Sequence, residues 1–408
     1  MYYLYLLLIF LILYIICKVY IRVKYKFWAY QPVFHYYDLW YWISQKGIIN
    51  KELPETNKFC NFLNILTWDF SELDKNTLKD IIGLIRTYYY RNKNANYLPT
   101  LSSFSSYFIG NDDKTFISLY YSPTIIVDKD LSTIPDKQLL GVITGRPVNI
   151  TLKKLQTFKA YYIDYLCVHK DHRKKGIAPE IIQSHEYKQR HKNKKIAVSL
   201  FKREGELTGI VALTTYKTYQ FYIKNISQDL LPHASMQLIE ITKLNIRLLV
   251  DFISNQREKF ECFVLPSYSN LLNLVNSSTY HVYAIIENNN LIACYFFRNS
   301  YMSYDMRTEK EQEENKKQNN AKSIEFFASI NNCHHNEIFI KGFSIALYKY
   351  IKKIKAMLIT IENIGHNNII INKLFLLKLV PRIVSPTAYF YYNYVKKPIF
   401  PENAFIIC

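Results

Sequence analysis

The sequence predicts an α/β protein in which two similar strand–helix halves follow one apolar amino-terminal helix. Three observations carry this. Residues 2–17 form an unbroken apolar and aromatic run. Strand-like and helix-like stretches then alternate through two successive cycles of similar order. The chain of 408 residues is 49% hydrophobic and 21% charged, which excludes wholesale disorder and collagen-like structure and suits two or three domains of ~150 residues.

The opening run extends to residue 21 if Lys18 snorkels, close to the ~17 residues a tilted membrane helix needs. No basic side chain precedes it, whereas Lys18, Arg22, Lys24 and Lys26 follow. A signal peptide has the reverse asymmetry. The positive-inside rule therefore predicts a transmembrane anchor over residues 1–21, single-pass, with the bulk of the chain facing the cytoplasm. A buried core helix is the competing reading.

Behind the anchor, residues 139–152 read as two strand segments around Arg146 and Pro147, because Val142, Ile143, Val148 and Ile150 are β-formers. Residues 161–168 read as a strand, 179–190 as a helix and 195–201 as another strand. The second cycle runs through a helix at 242–255, two strands around Asn288–Asn290, a helix at 337–357 and a strand at 358–362. Between its strands the polar stretch 304–322 reads as a solvated loop.

Lys and Arg number 52 against 33 Asp and Glu, a formal charge of +19. That favours polyanionic partners: nucleic acid, acidic lipid or a phosphorylated cofactor. The 36 tyrosines and 25 phenylalanines would suit base stacking, but no RRM or OB-type motif accompanies them, and nucleic acid is not expected as a partner. Seven cysteines do not make a disulfide scaffold in a chain this long, so reduced thiols in a cytosolic setting are expected. Cys333, His334 and His335 are adjacent rather than spaced like zinc ligands. They read as a surface turn, and no metal is expected.

The most informative stretch is 161–190. A strand ends in Cys167 and Val168, a basic turn follows, and a helix opens near Ile177, Ala178 and Pro179. Arg173, Lys174, Lys175 and Gly176 therefore stand where free N–H groups and the helix dipole favour phosphate. Gly176 allows close backbone approach, and Pro179 suits the first helical turn. A pyrophosphate would fit this cradle; a solvated basic turn is the plainer reading of the same residues. Cys167 with His169 could also make a nucleophilic pair, though a packed small residue is favoured.

Arg173-Lys174-Lys175-Gly176-Ile177-Ala178 resembles the acyl-CoA pyrophosphate loop of the GNAT acyltransferase superfamily. Ile163-Asp164-Tyr165-Leu166-Cys167-Val168-His169-Lys170 resembles, more narrowly, the signature of the glycylpeptide N-myristoyltransferase family. That family usually has Glu-Ile-Asn-Phe-Leu-Cys-Val-His-Lys there, and this chain has Tyr162, Asp164 and Tyr165 at the Glu, Asn and Phe positions. Further segments follow in order. Tyr25-Lys26-Phe27-Trp28 with Gln31-Pro32-Val33 resembles the cofactor-contacting Tyr-Gln-Phe-Trp and Gln-Pro-Val. Leu66-Thr67-Trp68-Asp69 resembles Phe-Thr-Trp-Asp, and residues 389–393 resemble Tyr-Tyr-Leu-Tyr-Asn.

The resemblance implies two pseudo-symmetric GNAT-like halves sharing one saddle-shaped mixed sheet: 22–204 for acyl-CoA binding, and 205–408 for the peptide and the carboxyl terminus. It implies transfer of myristate from myristoyl-CoA, a co-substrate rather than a permanently bound cofactor, to the amino-terminal glycine of a protein or peptide. The amides of Tyr165 and Leu166 would form the oxyanion hole, where prearranged donors meet developing negative charge. The α-carboxylate of Cys408 would take the proton from the substrate ammonium. Tyr25, Lys26, Phe27, Trp28, Cys167, Val168 and residues 173–179 would contact the acyl-CoA. Tyr89, Asp164 and Ser199 would contact the peptide.

Two departures bear on substrate and activity. After Tyr90 the family has an acidic loop, but this chain has Arg91, Asn92, Lys93 and Asn94, which predicts weaker preference for basic peptides because like charges oppose docking. The family's Gly-Asp-Gly near the carboxyl end is replaced by Val384, Ser385 and Pro386. The rival readings are a GNAT-type enzyme using another acyl-CoA, and a catalytically silent membrane scaffold that binds acyl-CoA or peptide.

Overall fold

A computed structural model describes residues 2–24, 26–90, 95–127, 133–153, 157–223, 230–307 and 320–408. Most of the polar stretch expected as a loop, residues 308–319, lies outside them, as do Tyr25 and residues 91–94. Of its described residues, 304–305 and 320–322 belong to the strands Asn290–Asp305 and Asn320–Asn331, and 306–307 to neither.

One mixed sheet of 15 strands dominates. The same connection occurs twice in it. In the first half, the hairpin Phe116–Val127 and Thr133–Leu152 leads to Thr157–Val168, then to the helix Ile177–Lys192, and the strand Ser199–Glu204 returns parallel to Thr157–Val168. In the second, the hairpin His281–Glu287 and Asn290–Asp305 leads to Asn320–Asn331, then to the helix Asn336–Ile354, and Leu358–Glu362 returns parallel to Asn320–Asn331. A parallel return needs a crossover, and the helix supplies it. The two cycles read from the sequence are these two units.

The halves share the sheet through Ile383–Tyr392, which lies between Ser199–Glu204 and Thr214–Tyr222. The carboxyl end crosses back to the first half. Ala404–Ile406 pairs parallel with Cys262–Leu265, which pairs in turn with Thr133–Leu152. Phe405 fills the space behind this edge, its ring 5.4 Å from Phe260, 5.0 Å from Phe263 and 6.1 Å from Phe296.

Residues 139–152, read as two strand segments, form part of one continuous strand. Arg146 and Pro147 suggested an interruption. Arg146 stays in the strand because its guanidinium lies 4.5 Å and 4.7 Å from the Tyr107 and Tyr162 ring centroids and 3.5 Å from Asp164. A buried charge is tolerated when it is paired.

The helix Tyr2–Lys24 has no buried residue, so it is not a core helix. It is long and apolar enough to cross a membrane. Only Tyr14, Lys18 and Ile21 are partly covered, a stripe of helical spacing that faces the body.

Candidate functional site

A cavity of about 980 Å³ opens between the two halves. Its lining brings together Trp28, Tyr89, Asp164, Tyr165, Leu166, Ser199 and Cys408, seven residues expected at a site from the sequence alone. Cys167, Val168 and residues 173–179, expected to contact the acyl-CoA, are not among its described lining residues.

The bend at Tyr165 has a local cause. Thr157–Val168 pairs with Thr133–Leu152 through Val142↔Cys167 and then Thr144↔Asp164, so Tyr165 and Leu166 together oppose the single residue Ile143. This is a β-bulge, which takes residues out of the ladder and re-aims them. Tyr165 has φ 50°, a conformation uncommon for a non-glycine residue. Its ring is held 5.0 Å from Phe104 and 5.7 Å from Tyr89, and its hydroxyl lies 3.3 Å from that of Tyr97. The Tyr165 N–H donates to Asp164 Oδ1 at 2.8 Å.

Asp164 thus bridges the bulge amide and Arg146, which stands 3.5 Å from its Oδ2. Burial opposes the Arg146 charge, but Asp164 and the surrounding polar groups outweigh it and hold the guanidinium protonated. Across the cavity Arg298 Nη1 donates to the Cys408 main-chain oxygen at 3.3 Å, while Nε pairs with Glu325 at 2.5 Å. Cys408 is buried, and burial pushes its thiol up to about 12 against the opposing charges of Arg146 and Arg298. That thiol is neutral at physiological pH. Lys202 meets Glu204 at 2.7 Å and Glu362 at 3.1 Å, and Tyr216 donates to the same Glu362.

Ser199 leads to an acidic group the sequence reading missed. Its Oγ donates to Glu186 Oε2 at 3.4 Å and lies 3.5 Å from Gln189 Nε2. Glu186 lines the cavity from the helix Ile177–Lys192. Burial raises its carboxyl from 4.5 to about 7, opposed by Arg190, 4.0 Å away, and by Ser199. Neighbouring His185 is held by Ser118 at 2.8 Å, and burial depresses it from 6.5 to about 4. Gly145 makes room for this pair. A Cβ there would stand 2.4 Å from Gln189 Oε1 and 2.8 Å from His185 Nε2.

Arg146, Glu186, Lys202, Arg298 and Glu362 were absent from the expected site. For Arg146, Arg298 and Glu362 a signal was present: a lone charge in a run of β-formers, as in Phe296-Phe297-Arg298. Such a charge needs a buried partner, but the sequence does not say which.

The basic turn has a different geometry from a free phosphate cradle. Arg173 Nε donates to the Val168 carbonyl at 3.1 Å and its Nη2 to that of Tyr88, so this side chain ties the turn to the helix Lys75–Tyr88. Lys174, at φ 62°, and Lys175 are exposed. Gly176, at φ 88°, caps the helix Ile177–Lys192, and left-handed backbone is the state glycine adopts at least cost. Glu180 already stands in the first turn, held by Asn61 Nδ2 at 2.7 Å. Cys167 is buried with its Sγ 3.8 Å from the Leu84 carbonyl. Lys26 is exposed, Phe27 is buried against Phe59, and Trp28 stacks on Phe201 at 5.7 Å. Tyr25 lies outside the described residues.

Residues 50–213 match the family model described as myristoyl-CoA:protein N-myristoyltransferase, N-terminal domain. Among solved structures, the chain is similar to Saccharomyces cerevisiae N-myristoyltransferase with bound myristoyl-CoA, at 14% identity and a TM-score of 0.70 over 94% of this chain and 99% of that one. A structure of the same yeast enzyme with bound myristoyl-CoA and inhibitors gives 15% identity and a TM-score of 0.69 over 96% of both chains. At that identity the likeness concerns the fold. No curated protein sequence matches this chain.

Proposed function

We propose that this chain, which belongs to the N-myristoyltransferase family through residues 50–213, moves myristate from myristoyl-CoA to the amino-terminal glycine of a protein or peptide. The observation that carries this reading is the meeting of the Tyr165–Leu166 bulge and Cys408 in one cavity. In this reading residues 22–204 supply the acyl-CoA side and residues 205–408 the peptide side.

The glycine amine attacks the thioester carbonyl. A C–N bond forms, the C–S bond breaks, and coenzyme A leaves as its thiol, its sulfur taking the second proton that the attacking nitrogen sheds. Negative charge on the carbonyl oxygen is met by the amides of Tyr165 and Leu166. The ammonium proton passes to the α-carboxylate of Cys408, oriented by Arg298. A free α-carboxyl titrates near ~3.3–3.7 and an α-amino group near ~7.7–8.0, so the carboxylate is ionised when it meets the ammonium. Asp164 imposes one condition. Its Oδ1 occupies the Tyr165 donor, so it releases that amide when the thioester binds and turns toward Arg146 or the incoming ammonium. In this reading Ser199 and Tyr89, which line the same cavity, serve the glycine end.

The helix Tyr2–Lys24 serves in this reading as a single-pass anchor with the body on the cytoplasmic side. The absence of any buried residue in it and the basic residues at its end support this. Incubation of the purified chain with an acyl-CoA length series and glycine-initiated peptides, read by mass spectrometry, tests the activity. Peptides gaining one myristoyl group are expected. Binding of myristoyl-CoA without product, or transfer only of short acyl groups, would overturn the assignment.

A further inference from the structure

A short helix beside the foot of the apolar helix has its large side chains on the wrong side for a soluble protein. Leu39–Ile43 buries only Tyr41, whose hydroxyl donates to the Lys396 carbonyl at 3.2 Å and whose ring packs 5.8 Å from Phe34. With Tyr41 as the pin, Leu39 is 63% exposed, Trp40 67%, Trp42 56% and Ile43 71%. Contiguous exposed apolar surface of this kind marks an interaction site.

Its position selects the partner. Tyr14 and Arg22 of the apolar helix act electrostatically on Tyr37, and Lys18 acts on Asp38. The carboxyl-terminal half of the helix Tyr2–Lys24, where Tyr14, Lys18 and Ile21 are partly covered, therefore lies near the segment that opens into Leu39–Ile43. Lys18 directly follows the unbroken apolar run 2–17, so the segment beside it stands at headgroup depth if the helix crosses a bilayer. Tryptophan and tyrosine are the residues enriched at that depth. The patch also has a basic rim. Lys46 is exposed, and its charge disfavours protonation of Lys396, which is also opposed by burial. Two neighbouring ammonium groups gain from an anion between them, and basic clusters beside a membrane helix attract acidic lipid.

We propose that Leu39, Trp40, Trp42 and Ile43, with Lys46 and Lys396, form a second membrane contact: an interfacial foot in the acidic headgroup layer beside the spanning helix. One contact leaves the body free to swivel about the anchor, whereas two fix its tilt. The inference rests on reading Tyr2–Lys24 as an anchor, and its test separates the two.

The full chain, reconstituted into phosphatidylcholine–phosphatidylserine vesicles carrying lipid brominated near the headgroup, is compared with a Trp40→Phe/Trp42→Phe variant. The chain has four tryptophans, so Trp28 and Trp68 remain in the variant as the internal reference. Matching circular dichroism establishes that both are folded. We expect brominated lipid to quench the parent at least twofold more than the variant, and Trp40 and Trp42 to be shielded from aqueous iodide. Equal quenching of parent and variant, or unchanged iodide access after reconstitution, overturns the foot. Shielding from iodide without bromine quenching overturns it in favour of a protein partner. Alkaline carbonate extraction reads the anchor separately. Retention without quenching sinks the foot alone, and release with quenching sinks the anchor alone.

Discussion

Replacing Glu186 with Gln isolates a buried carboxyl whose folded and unfolded states bind protons differently. In the unfolded chain the group titrates near its ordinary 4.5, and in the folded chain near 7. The folded state therefore binds more protons between those values. Its contribution is fully present below pH 4.5 and is lost as pH rises through 7. At about 1.36 kcal/mol per pH unit the loss is about 3 kcal/mol. Gln keeps the shape and can accept the Ser199 hydrogen bond but cannot ionise, and Arg190 retains the Ala197 and Glu52 carbonyls. The variant should match the parent near pH 4.5 and exceed it by about 3 kcal/mol above pH 7. His185 sharpens the test because its sign is opposite. Depressed from 6.5 to about 4, it contributes stability above pH 6.5 that is lost as pH falls toward 4. In the parent the two slopes oppose each other through the window they share, and in Glu186→Gln the acid-side loss stands alone. Reversible melts in detergent across pH 4–8.5 measure this. A difference between variant and parent that is flat with pH would refute the reasoning.

Three further outcomes follow from the same geometry. Gly145→Ala should cost about 1–3 kcal/mol, because the new methyl meets two buried polar side chains; a melting midpoint unchanged from the parent would contradict the packing. Asp164→Ala should cost about 3–5 kcal/mol by leaving Arg146 buried without its carboxylate, and Arg146→Met added to it should restore part of the loss, read by a double-mutant cycle. Phe405→Ala should cost about 3–5 kcal/mol, and a loss below 1 kcal/mol in urea unfolding would show that the carboxyl-terminal strand is dispensable to the core.

The repeated strand–helix order was legible because each stretch carries its own period. Leu358–Glu362 falls on the residues expected, and the helix Ile177–Lys192 begins two residues before the predicted start. Tyr165, Leu166 and Cys408 were nameable because they rest on motif positions and on the end of the chain. The charges around them were not. Arg146 in a β-forming run looks like a break until Tyr107, Tyr162 and Asp164 surround it, and these come from distant strands and loops. Glu186 was not singled out, since nothing local reveals that Ser199 and the cavity face it. The engaged state of the Tyr165 amide is likewise a matter of side-chain geometry, which spacing does not encode.

The return of residues 404–408 to the first half has a consequence for biosynthesis. Phe405 covers the rings of Phe260, Phe263 and Phe296, and Ala404–Ile406 completes one edge of the sheet. These residues leave the ribosome only after everything before them has been translated. Until then the nascent chain shows an open aromatic face and a cavity lacking one wall. Such a chain is a natural client for chaperones, and translation arrested before residue 404 yields an adhesive product without a finished site.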